Sequence, residues 1–297
     1  MSATTLTPAR SADAIGRALD HARTRGPLQQ ILIPPCPDLL ARLQQALAAR
    51  EPDLGEVARI AASDVAMSAT LIRAASGAAF AGFAPAQTVG QAMTRLGLEQ
   101  TAAVMTAFLT QRAIPADARH LQRFWERSTQ RALAMDLLAR QLPGMSPDVA
   151  YTFGLFAHVG QPVMLQSLRG YAGTMVEAQA RRDRSFVQTE NANHRTDHAV
   201  VGALVARVWR LAPAVMAAIR LHHDLDMLGA ADIEAEVQTL VAAGLVAEQL
   251  MRRCEGLDPD PDWTAHAGRA LDWLHVGPDD VQGWEEALAA TLDAVAR

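Results

Sequence analysis

Apolar side chains recur every three or four positions along most of this chain, whereas the strict alternation that is typical of strands is hard to find. The clearest run extends from Phe124 to Leu142, where the apolar positions fall on one face of a helix. Residues that end helices stand between such runs, as at Gly97 and at Pro143 and Gly144. The pattern therefore predicts an all-α protein.

Short polar side chains mark where several of the predicted helices begin. Asp38, Asp53 and Asp64 each precede an apolar run, so we expect each carboxylate to accept hydrogen bonds from the first backbone N–H groups of a helix. Ser146 followed by Pro147 predicts another helix start. The predicted helical segments are 11–25, 39–49, a short helix after 53, 65–75, 88–96, 99–113, 121–142, 147–161, 197–211, 213–223, and two C-terminal helices at 237–250 and 281–295.

Composition excludes several classes of protein. No window of about eighteen apolar residues occurs, and the first ten residues lack the apolar core of a signal peptide, so neither export nor membrane spanning is expected. Cys36 and Cys254 are too few for a disulfide framework, which favours a cytoplasmic location. Nucleic-acid binding is not expected, because the net charge is -5 and Arg181, Arg182 and Arg184 form only a small basic cluster.

The charge is distributed unevenly along the chain. Residues 1–225 contain 23 arginines against 17 acidic side chains, whereas residues 226–297 contain 4 arginines against 15 acidic side chains. An acidic C-terminal segment beside a mildly basic body indicates either that one docks on the other or that the two present faces to different partners. Solvated outer faces of helices would explain the same pattern.

Histidine and carboxylate side chains are concentrated in three separate segments. A metal site built on helices needs imidazole and carboxylate groups that converge from several turns, with positions left open for water and substrate when the site is catalytic. The candidate residues are His158, Asp197, His198, His222, His223 and Asp224.

The chain resembles the HDOD family, the output-domain branch of the HD superfamily. The resemblance covers roughly residues 28–225 and is carried by seven motifs in the expected order. They are Pro34-Pro35-Cys36-Pro37, residues 60–76, 91–97, 124–128, 154–160 and 197–204, and His222-His223-Asp224. It implies an HD-like multi-helix bundle at 28–225, preceded by an N-terminal extension at 1–27 and followed by additional acidic C-terminal helices at 226–297, packed on the bundle or following it.

In catalytic HD-type enzymes, a histidine lies about thirty residues before a paired His-Asp, and that aspartate commonly bridges metals. The resemblance places Arg127, Ala157 and His158 at these positions, so all three have changed. Ala157 offers no ligand atom, and Arg127 brings a permanent positive charge. The resemblance therefore implies that the chain binds no metal or other cofactor and is not an enzyme.

Each candidate residue also has a structural explanation. His158 on an apolar helix can be a hydrogen-bonded core histidine, and His222 and His223 can be satisfied by carbonyl groups at a helix end. Asp197 is explained as an N-cap. Arg127 can pair with Asp197 or with Asp224 and so fill a former metal site.

Two classes of function follow from these observations. The first is a non-catalytic bacterial signalling regulator that binds a regulatory protein partner, with a two-component or cyclic-dinucleotide pathway as the context. The second is a divergent metal-dependent phosphohydrolase or phosphodiesterase that uses the histidines and Asp224. A third hypothesis makes the vacated pocket, with Arg127, a nucleotide sensor.

Overall fold

The computed structural model describes residues 10–24, 26–77, 80, 84–114, 118–181 and 183–296, apart from the side chains of residues 118–122 and 294–296. Within these ranges the α-helices, with two short 3-10 turns between them, account for all regular structure, which confirms the predicted all-α class. The helices are α1 Ala12–Ala22, α2 Asp38–Ala48, α3 Leu54–Ala62, α4 Val65–Ala74, α5 Val89–Ala113, α6 Ala118–Gln141, α7 Pro147–Phe156, α8 Gly160–Ser167, α9 Tyr171–Ala180, α10 Phe186–His194, α11 His198–Val208, α12 Pro213–Leu221, α13 Ala235–Cys254, α14 Pro261–Leu274 and α15 Pro278–Ala296.

Of the caps predicted at Asp38, Asp53 and Asp64, the last two are confirmed. Asp53 accepts a hydrogen bond from the backbone N–H of the third residue of α3 at 2.9 Å, and Asp64 accepts from the N–H groups of two residues in the first turn of α4. The prediction for Asp38 was wrong, because Pro37 occupies the N-cap position and Asp38 is already the first residue of α2. Its carboxylate still lies in the first turn, where negative charge favours the helix.

The predicted helix over residues 147–161 is interrupted in the structure. Helix α7 ends at Phe156, residues 157–159 form a turn, and α8 begins at Gly160. His158 therefore lies in a turn between two helices, and its predicted place on a helix was wrong. The predicted break at Gly97 is confirmed, because the backbone there is not helical (φ 76°, ψ 172°) and α5 therefore consists of two helical segments that meet at a kink.

Two glycines allow close contact between the backbones of neighbouring helices. A Cβ atom on Gly154 would lie 2.7 Å from the carbonyl oxygen of Arg131 on α6. A Cβ atom on Gly160 would lie only 2.0 Å from the carbonyl oxygen of His198 on α11. Neither position has room for a side chain. The close contact at Gly160 places the turn that contains His158 against the start of α11.

The C-terminal segment contains three helices where two were predicted. The additional helix, α14, begins at Pro261, at the end of the sequence Asp258-Pro259-Asp260-Pro261, which lies between the two predicted helices. Proline is favoured in the first turn of a helix because its missing N–H would have no helical partner there. Asp260 caps this helix by accepting from the backbone N–H of Asp262 at 2.9 Å. None of the described helices is both long and apolar enough to cross a membrane.

Ion pairs join the acidic C-terminal segment to the helical body. Arg127 on α6 pairs with Glu248 at 2.6 Å and with Glu255, both on or at the end of α13. Arg131, whose side chain is 8% exposed, pairs with the same Glu248 at 3.0 Å. The expected pairing of Arg127 with Asp197 or Asp224 was wrong, because α13 packs along α6 and supplies nearer carboxylates. The acidic segment therefore docks on the body.

Replacing Glu248 with glutamine is expected to lower the free energy of unfolding by about 1–3 kcal/mol at pH 7, because Arg127 and Arg131 lose the half-buried carboxylate that they share. Burial raises the pKa of Glu248, but Arg131 and Arg127 outweigh burial and lower it overall. The carboxylate thus stabilises the folded protein above its unfolded-state pKa, and this contribution is lost as the pH falls through the folded-state pKa. Chemical denaturation from pH 7 down to pH 3 should show the difference between wild type and variant shrinking.

The matched control is Glu285→Gln, which removes a more exposed pair with Arg253 at 2.8 Å. We expect this change to cost less than about 1 kcal/mol. Equal effects of the two substitutions would show that the contact between α6 and α13 does not depend on Glu248.

A four-histidine cluster as candidate metal site

The structure brings four of the predicted site residues together. They are His158 in the turn between α7 and α8, His198 at the first position of α11, and His222 and His223 directly after α12. One nitrogen atom from each ring lies within 4.8 Å of the corresponding atoms of the other three. Asp197 places His198 there by capping α11, since its carboxylate accepts from the N–H of Val200 at 2.9 Å, which confirms the predicted cap.

The hydrogen bonds at Nδ1 fix the tautomers of three rings. Nδ1 of His198 lies 2.7 Å from a carboxylate oxygen of Glu190, and Nδ1 of His222 lies 2.7 Å from the carbonyl oxygen of Ile219. Nδ1 of His223 lies 3.0 Å from a carboxylate oxygen of Asp262. A carbonyl or ionised carboxylate oxygen only accepts, so each Nδ1 carries the proton, and each neutral ring presents an unprotonated Nε2.

These unprotonated nitrogens face one another. Nε2 of His198 lies 3.3 Å from Nε2 of His222 and 3.2 Å from Nε2 of His223. Three acceptors at such distances repel one another unless a proton or a metal cation lies between them. Two nitrogens that share a tetrahedral zinc ion are about 3.3 Å apart, given Zn–N distances of about 2.0–2.1 Å. The arrangement therefore fits a divalent transition metal.

His158 completes the cluster and is held differently. Its ring stacks on that of His198, with centroids 5.0 Å apart and an interplanar angle of 14°. Nδ1 of His158 faces the amide nitrogen of Gln161 at 3.5 Å, which is a donor and not an acceptor. Hydrogen bonding therefore constrains this ring least among the four.

Burial favours the neutral form of two of the four rings, those of His158 and His222. It lowers the pKa of His158 well below the ordinary histidine value, and Arg131 and the three other histidines lower it further. Burial also lowers the pKa of His222, with further lowering by His223 and His198 and an opposing effect from the Ile219 carbonyl. Neutral imidazoles at pH 7 are the form that binds metals.

The other predicted site residues lie elsewhere. Asp224 pairs with Arg10 at 3.4 Å, and the second carboxylate oxygen of Asp197 accepts from Asn191 at 2.7 Å. Within the described residues, no carboxylate joins the histidines as a member of the cluster. The positive charge of Arg127 is neutralised by Glu248 on α13 and by Glu255 at its end.

The small basic cluster at the end of α9 is also neutralised. Arg181 pairs with Glu177 and Asp183, and Arg184 pairs with Glu177 as well. Arg182 lies outside the described residues.

Two carboxylates of the site were not predicted from the sequence. Glu190 on α10 is fully buried and accepts from the Tyr171 hydroxyl, from the backbone N–H of His198 at 3.2 Å and from its ring. Burial, followed by the charge of Glu190, raises the pKa of Tyr171 well above its usual value. Burial raises the pKa of Asp262, but the hydrogen bond from His223 and the electrostatic interactions with His223 and His266 together outweigh burial and lower the pKa overall. Neither carboxylate has a signal in the sequence, because each lies on a helix that does not contain its histidine, 8 and 39 residues away.

Comparison with known proteins assigns this helical, histidine-centred fold to a family. A model of the HDOD domain matches residues 33–225, and the chain therefore belongs to the HDOD family. An uncharacterized protein of Treponema pallidum (strain Nichols) is 22% identical over 232 residues, which cover 76% of this chain and 44% of that protein. The chain thus spans less than half the length of this relative.

Solved structures share the fold. A proposed phosphohydrolase from Shewanella amazonensis SB2B superposes with a TM-score of 0.70 at 20% identity, over 95% of this chain and 97% of that one. A proposed signal transduction protein from Marinobacter aquaeolei VT8 gives a TM-score of 0.74 at 16% identity, over 100% of this chain and 67% of that one. An HDOD domain protein of unknown function from Geobacter sulfurreducens gives 0.67 at 18% identity, over 95% and 97%.

Proposed function

We propose that this HDOD protein is a signal-transduction regulator whose four-histidine cluster binds one divalent transition metal in a closed, non-catalytic site. The observation that carries the proposal is the convergence of three unprotonated Nε2 atoms, with His198 at 3.2 and 3.3 Å from its two neighbours. His198, His222 and His223 each donate from Nδ1 to an oxygen acceptor, which is the outer-shell arrangement that metal-binding histidines usually have. His158 would supply the fourth nitrogen.

Charge balance supports the same proposal. Four neutral imidazoles leave the double positive charge of a divalent ion uncompensated within the cluster. The carboxylates of Glu190 and Asp262, each bonded to a ligand ring, supply two negative charges next to it. Zinc, iron, cobalt and nickel all accept imidazole ligands, whereas magnesium and calcium prefer oxygen.

The ligand set argues against hydrolysis. Catalytic zinc sites keep a coordination position for water, and four imidazoles would fill a tetrahedral shell. Ala157 stands where the resemblance to HD-type enzymes expects a ligand, and within the described residues no carboxylate joins the cluster to bridge a second metal. A metal bound here would cross-link the α7–α8 turn, the start of α11 and the end of α12.

A regulatory role agrees with the names of relatives in this fold. The Marinobacter relative is described as a signal transduction protein, and we propose that this chain likewise acts through a regulatory protein partner. A two-component or cyclic-dinucleotide pathway is the context that the HDOD resemblance implies. The proposed output is a protein contact made by the metal-bound form.

One alternative has an observation in its favour. His158, His222 and His223 are only half-buried, so small molecules could reach the cluster, and the Shewanella relative is described as a phosphohydrolase. The nucleotide-sensor hypothesis has less support, because the glutamates of α13 already neutralise Arg127.

Metal analysis combined with a hydrolase assay tests the proposal. Chelator-stripped protein is reloaded with zinc, manganese or ferrous iron and offered bis-p-nitrophenyl phosphate and a panel of nucleotides. We expect about one tightly bound zinc ion per chain and no turnover above that of the free metal. Turnover that depends on bound metal and disappears in His198→Ala would favour the phosphohydrolase instead.

A further inference from the structure

Helix α14 lies outside the segment that matches the HDOD domain, yet it contributes a side chain to the histidine cluster. The match ends at residue 225, whereas Asp262 lies in the first turn of α14. Its carboxylate oxygen is 3.0 Å from Nδ1 of His223, and its side chain is 29% exposed. The contact joins residues 39 positions apart in the chain.

The start of α14 holds this carboxylate in place. Asp260 caps the helix, accepting from the N–H of Asp262 at 2.9 Å, and Pro261 between them fixes its own backbone φ angle. These two residues fix the backbone of Asp262, and hence the point from which its side chain reaches His223. The Asp262 carboxylate accepts a hydrogen bond from Nδ1 of His223 and so favours the tautomer with the proton on Nδ1.

A second tether connects the same helix to the same loop without involving a histidine. Arg269, further along α14, pairs with Asp226 at 3.0 Å, and both side chains are at least half exposed. Helix α14 also packs against α13 and the 3-10 turn at Leu225–Met227. Substitutions at these two contacts therefore distinguish the effect of docking α14 from the effect of the hydrogen bond to His223.

We infer that Asp262 is a positioning residue through which metal binding at the cluster and docking of α14 reinforce each other. The inference rests on the proposed function, since it requires that the cluster binds a metal. With Asp262 in place, the neutral tautomer of His223 that presents Nε2 to the cluster is favoured. In turn, a metal on Nε2 keeps the proton on Nδ1 and strengthens its hydrogen bond to α14. By thermodynamic linkage, the two effects are equal in size.

Zinc affinity measures the first half of this coupling. In competition with a chromophoric chelator, full-length Asp262→Ala should bind Zn²⁺ about 10–100-fold more weakly than wild type, the range seen for outer-shell partners. Asp262→Asn, whose amide oxygen can still accept from Nδ1, should recover most of the affinity. Arg269→Ala, which removes only the other tether, should bind within about threefold of wild type, as expected of an exposed ion pair.

Hydrogen exchange measures the second half. Saturating Zn²⁺ should slow amide exchange in α14 of wild type and of Arg269→Ala, and should leave exchange in α14 of Asp262→Ala unchanged. Equal zinc affinity of wild type and Asp262→Ala would overturn the inference while leaving the metal site standing. Equal weakening in Arg269→Ala and Asp262→Ala would also overturn it, because general docking would then be the cause. Failure of wild type to bind Zn²⁺ at all would overturn the proposed function and this inference together.

Discussion

Replacing His198 with alanine is expected to abolish tight metal binding, with a loss of affinity greater than the roughly 100-fold seen when an outer-shell partner is removed. Nε2 of His198 lies within 3.3 Å of the corresponding atoms of both His222 and His223, so its removal takes away the nitrogen common to both pairs. The same substitution leaves Glu190 without its ring partner. Titration with Zn²⁺, followed by competition with a chelator, measures the loss.

The matched control is His21→Ala, which removes an exposed histidine in α1. It should bind Zn²⁺ as wild type does, and circular dichroism should show that both variants remain helical. Retention of wild-type zinc affinity by a folded His198→Ala would mean that the metal, if any, is bound elsewhere.

Replacing Gly160 with alanine is expected to destabilise the protein by more than about 3 kcal/mol, at or above the upper end for overpacked cores. The new Cβ would lie 2.0 Å from the carbonyl oxygen of His198 and 2.8 Å from the backbone nitrogen of Gly202. Backbone atoms cannot turn aside as a side chain can, so α8 and α11 would have to separate. Because His158 lies two residues before this contact, zinc affinity should fall as well.

Gly173 in α9 provides the control for Gly160. A Cβ atom there meets nothing within 4 Å, so Gly173→Ala should be neutral or stabilise the protein by up to about 1 kcal/mol. Chemical denaturation of both variants compares them directly. A small effect of Gly160→Ala would show that the contact between α8 and α11 is looser than the structure indicates.

Local signals explain how much of the fold could be predicted from the sequence. Helical periodicity and capping side chains such as Asp64 and Asp197 identify helices whose start is determined by residues close to it in the sequence. The turn at residues 157–159 has no such signal, because Ala157 and Val159 are compatible with a helix. It arises where Gly160 meets the backbone of α11, which is a tertiary contact.

The same distinction applies to the site. The sequence shows that histidines occur in three segments, and the structure adds that their Nε2 atoms converge. The partners that fix their tautomers, Glu190 and Asp262, lie 8 and 39 residues from their histidines, which no helical spacing relates. The partners of Arg127 were missed for the same reason, since they lie on α13, more than a hundred residues away.

X-ray absorption at the zinc edge of the reloaded, full-length protein tests the central claim most directly, because it reports the number and type of ligand atoms. The account predicts about four nitrogen donors at about 2.0 Å, with the outer-shell scattering of imidazole rings. A spectrum with carboxylate or water oxygens in place of imidazoles would contradict the closed four-histidine site, as would protein that retains no zinc.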